Sequence, residues 1–334
     1  MGHEVQSVAV IGFGPVGRAV TDLLIKAGNP VTVLQRSEPA DLPEGTRFVA
    51  CDAREPDALF AGVKGCNAVI VCLGLPYDSA VWTRDWPRVM ANLIRLGRTT
   101  GLRIVFFDNL YMYGPQEVPL HTGMPLTRKG QKPRVRAEIT RAWQTAVATD
   151  QDFRFVALRA SDFYGPGEVQ SHLGTDVFRA IVTGHPVQTV LSPDLLHDFA
   201  YVPDIARALC LLLDAPDSAY GRAWHMPCAT TETPRQLLQQ AAALAGKPLK
   251  LQALSPALLP VMGLVVPMLR ELVEMRFQFD RPYRIEAIDF AQAFAFTPTP
   301  FATGLAATLA TTLAATKTAK PADTGPERIP AAAD

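Results

Sequence analysis

The sequence has no surplus of charge of either sign. It carries 32 basic and 32 acidic residues among 334, a formal net charge of 0, which removes the electrostatic case for a nucleic-acid or anionic-membrane partner. It has no C-x-x-C. The five cysteines (Cys51, Cys66, Cys72, Cys210, Cys228) stand apart, three in or beside apolar runs, and read as free thiols in a reducing compartment. The opening residues, MGHEVQSVAV, lack a basic stretch followed by a long apolar one, so no signal peptide is expected and a soluble, cytoplasmic protein is. The longest late apolar run, LLPVMGLVVPMLRELV at 258–273, is broken by Pro260, Gly263 and Pro267. That is too short and too interrupted to span a bilayer, and a core or pocket-lining helix is expected there. The histidines are scattered without ligand spacing, so no metal site is expected, and no internal repeat is visible. Finally, no tyrosine occurs from Gly114 to Phe163.

What is present is a large apolar fraction, 48% against 19% charged residues, enough for a sizeable core. Short apolar runs rich in β-branched residues recur at 8–11, 31–34, 48–51, 68–73, 103–107 and 153–158, with helical stretches between them. Continuous rather than alternating hydrophobicity implies strands covered on both faces. The fold class expected is therefore α/β, a doubly wound parallel sheet of Rossmann type with a smaller C-terminal substrate domain. Residues 1–161 form the dinucleotide-binding domain, with 197–227 returning to the sheet. Residues 162–196 and 228–305 form the substrate domain; in this second half short strands are expected at 187–191 and, in the part returning to the sheet, at 223–226. A helix at 234–245 is marked by Thr233 as cap, Pro234 at its first position and Gly246 past its end. The Ala/Thr-rich stretch 306–334 is expected to be a tail, disordered from about 316.

The stretch VAVIGFGPVGRAV places Gly12, Gly14 and Gly17 in a G-x-G-x-x-G between strand and helix. Glycines there allow the tight turn, close backbone approach to a pyrophosphate and close helix–strand packing, and the helix N-terminus offers N–H groups to the phosphates. Gly12, Phe13, Gly14, Pro15, Val16 and Gly17 are the cofactor loop; the alternative is a glycine-rich turn that binds nothing. The second strand ends Gln35-Arg36-Ser37 with no carboxylate to accept from a ribose 2′-OH. An Arg beside a Ser suits a 2′-phosphate instead, so NADP is expected, with NAD as the alternative and a solvated Arg36 as the plain reading. Asp52 and Ala53, after the third strand, suit an adenine-edge contact, or Asp52 a helix cap. Cys72, Leu73 and Gly74 end the fourth strand in a small-residue turn against which a cofactor ribose would lie.

Several motifs then fall in order: GFGPVG, CDAREPDAL, NLYMYG, RASDFYGPG, HDFAYVPDIARAL and GRAWHMP. Together they cover about residues 7–305, and the chain resembles the extended short-chain dehydrogenase/reductases, the NAD-dependent epimerase/dehydratase family. The resemblance implies a serine or threonine four residues before Tyr113 and a Tyr-x-x-x-Lys pair on the next helix. Here Asn109 stands in the first place. Aligning Arg134 and Glu138 with the family's helix puts Gly130 where the tyrosine belongs. The usual acid is absent rather than shifted. The substitutes expected are Asn109 as polariser, Tyr111 as proton donor, and Lys129 or Arg134 on the nicotinamide ribose; the alternative is an aromatic pair that only packs beside a solvated basic face. Asp162 takes the family's Asn position beside the substrate, as a general acid/base or substrate ligand, or as a turn cap. Ser161 before it is grouped with the cofactor contacts. His197 replaces the Arg that grips a nucleotide-sugar diphosphate in family members, which favours a smaller or less charged substrate. The function expected is an NAD(P)-dependent oxidoreductase acting on a small carbonyl or alcohol. An epimerase or dehydratase using tightly held cofactor, or an inactive NADP-binding sensor, are the alternatives. Neither nucleic acid nor membrane is expected as a partner, and a homodimer is compatible with the resemblance.

Overall fold

The computed structural model describes residues 6–169, 171–190, 192–253 and 271–318. The expected apolar runs become strands: β1 (Val8–Ile11), β2 (Val31–Gln35), β3 (Arg47–Ala50), β4 (Ala68–Val71), β5 (Arg103–Asp108) and β6 (Phe155–Arg159). All pair in parallel in the order β6-β5-β4-β1-β2-β3. A seventh strand, Ala223–His225, returns to lie parallel beside β6. The strand order reverses between β1 and β4, the place where open sheets of this kind leave a crevice outside the carboxyl ends of their strands.

Between the strands run α1 (Pro15–Lys26), α2 (Pro56–Gly62), α3 (Ser79–Thr100) and α4 (Lys132–Thr149). Each start is readable locally. Pro15 and Pro56 occupy first-turn positions, where the missing N–H costs nothing. Asp78 caps α3 by accepting from the Val81 N–H at 2.8 Å. The faces of the sheet bury two separate apolar clusters: Val8, Val10, Val33 and Ile70 with Val20 and Leu24 on one side, and Ala9, Ile11, Val69 and Val71 with Trp86, Val89 and Leu93 on the other.

The C-terminal part holds α5 (Thr175–Thr183) and α7 (Pro234–Leu244), the latter with a capping box of Thr233 and Gln236. Two small two-stranded parallel sheets, Asp162–Tyr164 with Phe199–Tyr201 and Val187–Thr189 with Leu251–Ala253, complete it. A third core cluster joins this part to the loop after β5, through Leu110, Met112 and Tyr113. The helix α6 (Val202–Leu213) packs beside α1, on the far side of the sheet from α3 and α4.

The Ala/Thr-rich stretch departs from expectation. It is not a tail from 306 but helix Phe301–Thr318, with Phe301, Leu305 and Leu309 buried in the third cluster. Three large side chains four residues apart suffice to seat it, contributing about 5–8 kcal/mol before chain entropy. Its buried threonines satisfy their own hydroxyls, Thr308 donating to the Gly304 carbonyl at 2.7 Å and Thr312 to that of Thr308 at 2.9 Å. Gly304 lies so close to Tyr164 that a Cβ would stand 2.3 Å from the phenol oxygen. The helix is described through residue 318; the disorder expected from about 316, like most of the apolar helix expected at 258–273, otherwise lies outside the described residues.

Candidate active site

The glycine turn after β1 has the geometry its sequence suggested. Gly12 has φ +91, and a Cβ there would meet the Cys72 carbonyl and Leu73 Cα, each at 2.9 Å, so the loops after β1 and β4 touch. A Cβ on Gly17 would stand 2.0 Å from the Gly12 carbonyl oxygen. At Gly14 it would meet nothing within 4 Å. Gly14 also caps α1 without any side chain bonded to the helix N-terminus. Phe13 and Val16 are buried beneath the loop, and the Phe13 N–H donates to Gln35 Oε1 at 3.1 Å, whose amide donates in turn to the Ser37 carbonyl at 2.8 Å. Tight packing below, open space at Gly14 and unspent helix N–H groups are what a pyrophosphate needs, so these residues fit a dinucleotide.

Arg36 and Ser37 are both exposed at the end of β2. Asp52 is half-buried and clasped by the Arg54 fork (Nε–Oδ1 2.9 Å, Nη2–Oδ2 2.5 Å), while Arg54 Nη1 reaches Asp85 at 3.0 Å. Arg54 holds the Asp52 carboxyl below the usual range, with a smaller contribution from Arg36. Asp52 does not cap α2, whose cap residue is Glu55. Ala53 is buried, Cys72 and Leu73 are half-buried, and Gly74 is exposed with open space around it. Burial pushes the Cys51 thiol up to about 11, and all five cysteines are free.

At the end of β5, Asp108, Asn109, Tyr111 and Tyr113 take four different tasks. Asp108 is buried and shared by two buried guanidiniums, Arg136 at 2.7 Å and Arg159 at 3.6 Å. Asn109 folds as an Asx turn, its Oδ1 accepting from the Tyr111 N–H at 3.1 Å. Tyr113 is structural. His225 Nδ1 lies 3.1 Å from the Glu286 carbonyl and so must donate there, which leaves Nε2 to accept from the Tyr113 hydroxyl at 2.9 Å, while Arg159 donates to the same hydroxyl at 2.6 Å. Burial and the nearby Arg159 push the His225 imidazole down to about 3.

Tyr111 instead stacks on Trp82 (centroids 6.1 Å apart, planes at 15°) and turns its hydroxyl toward Tyr77 and Gln278. Burial, then the Asp162 carboxylate, raise its pKa well above that of an ordinary phenol; Gln278, Arg136 and Tyr77 offset part of this. Asp162 accepts from His197 Nε2 at 2.9 Å. Burial pushes its carboxyl up, but that bond and the charges of His172 and His197 outweigh it and leave it ionised below the usual range. Ser161 lies beside it, its hydroxyl 3.6 Å from Cys228 Sγ.

Neither expected cation reaches this cluster. Lys129 is exposed, and Arg134 is exposed and paired with Glu138 at 3.6 Å. The inward cations of α4 are Lys132 and Arg136, one turn apart. Lys132 is fully buried, binding Ser79 Oγ (3.0 Å), Glu271 and Glu274 (3.1 Å) and lying 4.5 Å over the Tyr77 ring. Arg136 lies 4.2 Å over Trp86, and its Nε and Nη1 are buried without a hydrogen-bond partner among the described residues. The helix phase carried the signal. Val135, Ile139 and Trp143 form the apolar stripe, and positions 132, 136 and 140 share its inward side. Tyr77 and Tyr283 lie outside regular helices and Gln278 ends a single 3₁₀ turn, Arg276–Gln278, and none of the three carries a comparable mark in the sequence. Among the described residues no group of three His, Cys, Asp or Glu side chains could hold a metal ion, and no helix is long and apolar enough to cross a membrane.

A glycine cradle at the reversal of a parallel seven-stranded sheet, with a buried polar cluster beside it, defines a dinucleotide-binding enzyme. A model of the NAD dependent epimerase/dehydratase family matches residues 8–226, and the chain belongs to that family, an extended short-chain dehydrogenase/reductase type of enzyme. Similar solved structures include the UDP-glucose 4-epimerase of Thermus thermophilus in complex with NAD (19% identity, 92% of this chain and 99% of that one, TM-score 0.74). Others are the dTDP-glucose 4,6-dehydratase of Bacillus anthracis str. Ames with NAD (15%, 92% and 96%, 0.74) and the UDP-glucuronic acid 4-epimerase of Bacillus cereus with NAD (13%, 92% and 99%, 0.74). No curated protein sequence matches.

Proposed function

We propose that the protein is an NAD(P)-dependent oxidoreductase that interconverts a small carbonyl compound and its alcohol, with Tyr111 carrying the proton. One observation supports this above the others: a half-buried phenol, stacked on Trp82 with its hydroxyl turned toward Tyr77 and Gln278, stands with an open glycine cradle at the carboxyl ends of the strands. The bound nicotinamide supplies or accepts the hydride. Tyr111 keeps its proton at neutral pH, releases it to the oxygen that gains charge as a carbonyl is reduced, and takes it back from the alcohol in the reverse direction. Asn109 keeps its amide N–H₂ for the same oxygen, since its Oδ1 is spent on the turn. Arg136, rather than Lys129 or Arg134, is the α4 cation whose charge acts on Tyr111, and it offsets developing negative charge. Asp162, ionised, serves as an acceptor for a substrate hydroxyl rather than as an acid.

NADP is favoured over NAD by the exposed Arg36–Ser37 pair and the lack of a carboxylate at the end of β2. Cys72, Leu73, Gly74 and Ser161 complete the cofactor contacts. Family membership favours a second reading, an epimerase or dehydratase that oxidises and re-reduces one substrate on a retained cofactor. Purified protein mixed with NADPH or NADH and a carbonyl panel separates the two: net consumption of reduced cofactor supports the oxidoreductase, and cofactor that survives purification without net turnover supports the epimerase.

A further inference from the structure

Two carboxylates from one short stretch, Glu271 and Glu274, end at the starts of two different helices. Glu271 accepts from the Ser79 N–H at 3.0 Å and from the Ser79 hydroxyl at 2.6 Å, at the first residue of α3. Glu274 accepts from the Gln131 N–H at 2.7 Å and the Lys132 N–H at 3.2 Å, where α4 begins and Gln131 supplies no side-chain cap. The Lys132 ammonium lies between them, bonded to Glu271, to Glu274 at 3.1 Å and to Ser79 Oγ at 3.0 Å. Burial raises the Glu271 pKa, but the bonds from Lys132 and Ser79 outweigh it and hold the carboxyl below the usual range. The charges balance: two carboxylates face one ammonium and two helix N-termini, each equivalent to about half a positive charge. A lysine with 0% of its side chain exposed is therefore fully compensated here.

This staple reaches both neighbours of the Tyr111 hydroxyl. On one side Lys132 Nζ lies 4.5 Å over the Tyr77 ring. Tyr77 meets Trp82 edge-on at 5.7 Å, and Tyr111 stacks on the same indole. On the other side Glu274 stands four residues before Gln278. The Met275 N–H donates to the Leu272 carbonyl and the Gln278 N–H to that of Met275, both at 3.0 Å. Successive closed turns thus carry the position of Glu274 to Gln278, which faces the Tyr111 hydroxyl. One ammonium governs where both neighbours stand. Without it, two carboxylates only 15% and 21% exposed lose their counter-charge. They would turn out to water, drawing Gln278 away from Tyr111 and freeing the Tyr77 ring.

Resting on the reading of Tyr111 as proton donor, we propose that Lys132 is a positioning residue for the reaction: through Glu271 and Glu274 it fixes Gln278, and through its ring contact Tyr77, so that the Tyr111 hydroxyl is held in its working orientation. It acts through Tyr111 and not on the substrate itself. Two readouts on the full chain test this. Tyrosine carrying an NMR-active carbon at Cζ gives one signal per phenol, and the signal lost in Tyr111→Phe is that of Tyr111. In Lys132→Met, and in the shape-conserving Glu274→Gln, this signal should move, while that of Tyr220, bonded to the Leu212 carbonyl on α6, stays. In turnover of small carbonyl compounds with NADPH or NADH, Lys132→Met should lower kcat about tenfold, with KM and cofactor Kd near the parent values. In a Tyr111→Phe background the same change should lower kcat less than about twofold, because the residue it acts through is gone. A general loosening of the fold would lower kcat equally in both backgrounds. A Tyr111 signal unmoved in both variants, or an equal kcat loss with and without the Tyr111 hydroxyl, would overturn the proposal. Where Lys132→Met fails to fold, Glu274→Gln decides it by the same two measurements. Full kcat in Tyr111→Phe, or a parent that binds reduced cofactor and turns over nothing, would overturn the proton-donor reading and this proposal with it. An unmoved signal beside an inactive Tyr111→Phe would overturn the role of Lys132 alone.

Discussion

Replacing Gly14 and Gly17 by alanine, one at a time, separates a cofactor cradle from a turn that merely happens to be glycine-rich. At Gly14 the backbone is extended (φ −73, ψ −171), open to any residue, and a methyl group would touch no protein atom within 4 Å. Loss of glycine's freedom in the unfolded chain gains roughly 0.4–1 kcal/mol, while alanine as a helix cap residue loses a similar amount. Stability of Gly14→Ala should therefore stay within about 0.5 kcal/mol of the parent. The methyl group would nevertheless occupy the open space that the phosphates require, so the Kd for NADPH or NADH should rise at least about tenfold, or 1.4 kcal/mol. Gly17→Ala places its Cβ 2.0 Å from a backbone carbonyl. The helix must move, costing about 1–3 kcal/mol of stability as well as affinity. Fluorescence titration of the reduced cofactor and thermal unfolding of the three proteins give both numbers. A Gly14→Ala protein that binds cofactor as tightly as its parent would show that no pyrophosphate lies on this loop.

Four further outcomes are expected. Tyr111→Phe should lower kcat by about 10²–10⁴ with cofactor affinity retained, whereas Tyr113→Phe should leave kcat near the parent and cost about 1–3 kcal/mol of stability by stripping His225 and Arg159 of their shared partner; steady-state kinetics and urea unfolding distinguish them. Asp108→Asn, which leaves two buried guanidiniums facing a neutral amide, should cost about 3–5 kcal/mol in the same unfolding assay. Arg36→Asp should weaken NADPH more than NADH, and equal effects on both would remove the 2′-phosphate from consideration. The depressed His225 pKa sets a pH trend. The unfolded imidazole titrates near 6.5 and the folded one near 3, so stability is complete above the higher value and lost as pH falls through that window, by about 2 kcal/mol at pH 5. His225→Gln should flatten that slope between pH 7 and 5 in pH-dependent unfolding.

The parallel sheet was legible because strands covered on both faces have nowhere to put polar residues. Val8–Ile11, Ala68–Val71 and Phe155–Arg159 lie within one or two residues of their apolar runs. The glycine loop was legible because its requirement is steric and local. The helix Phe301–Thr318 was not, since alanine and threonine carry little pattern and its burial depends on Tyr164 and α5 supplying a surface. The site divided along the same line. Asn109, Tyr111 and Asp162 sit at strand ends whose register the sequence already implied. The cations at the start of α4 were read from a family alignment, whereas the helix's own apolar stripe, Val135–Ile139–Trp143, points Lys132 and Arg136 inward and Arg134 outward, and Lys129 precedes the helix and is exposed. Gln278 and Tyr283 arrive from far along the chain, and only folding brings them to Tyr111.

The most direct test of hydride transfer at this site uses NADPH or NADH deuterated at the transferable position of the nicotinamide, incubated with the parent protein and with Tyr111→Phe over a panel of small carbonyl compounds. The expected result is deuterium carried into the product alcohol by the parent and little or none by the variant, both binding cofactor equally. Equal transfer by the two proteins would remove Tyr111 from the chemistry, and cofactor bound by the parent with no deuterium moved to any compound would contradict the oxidoreductase itself.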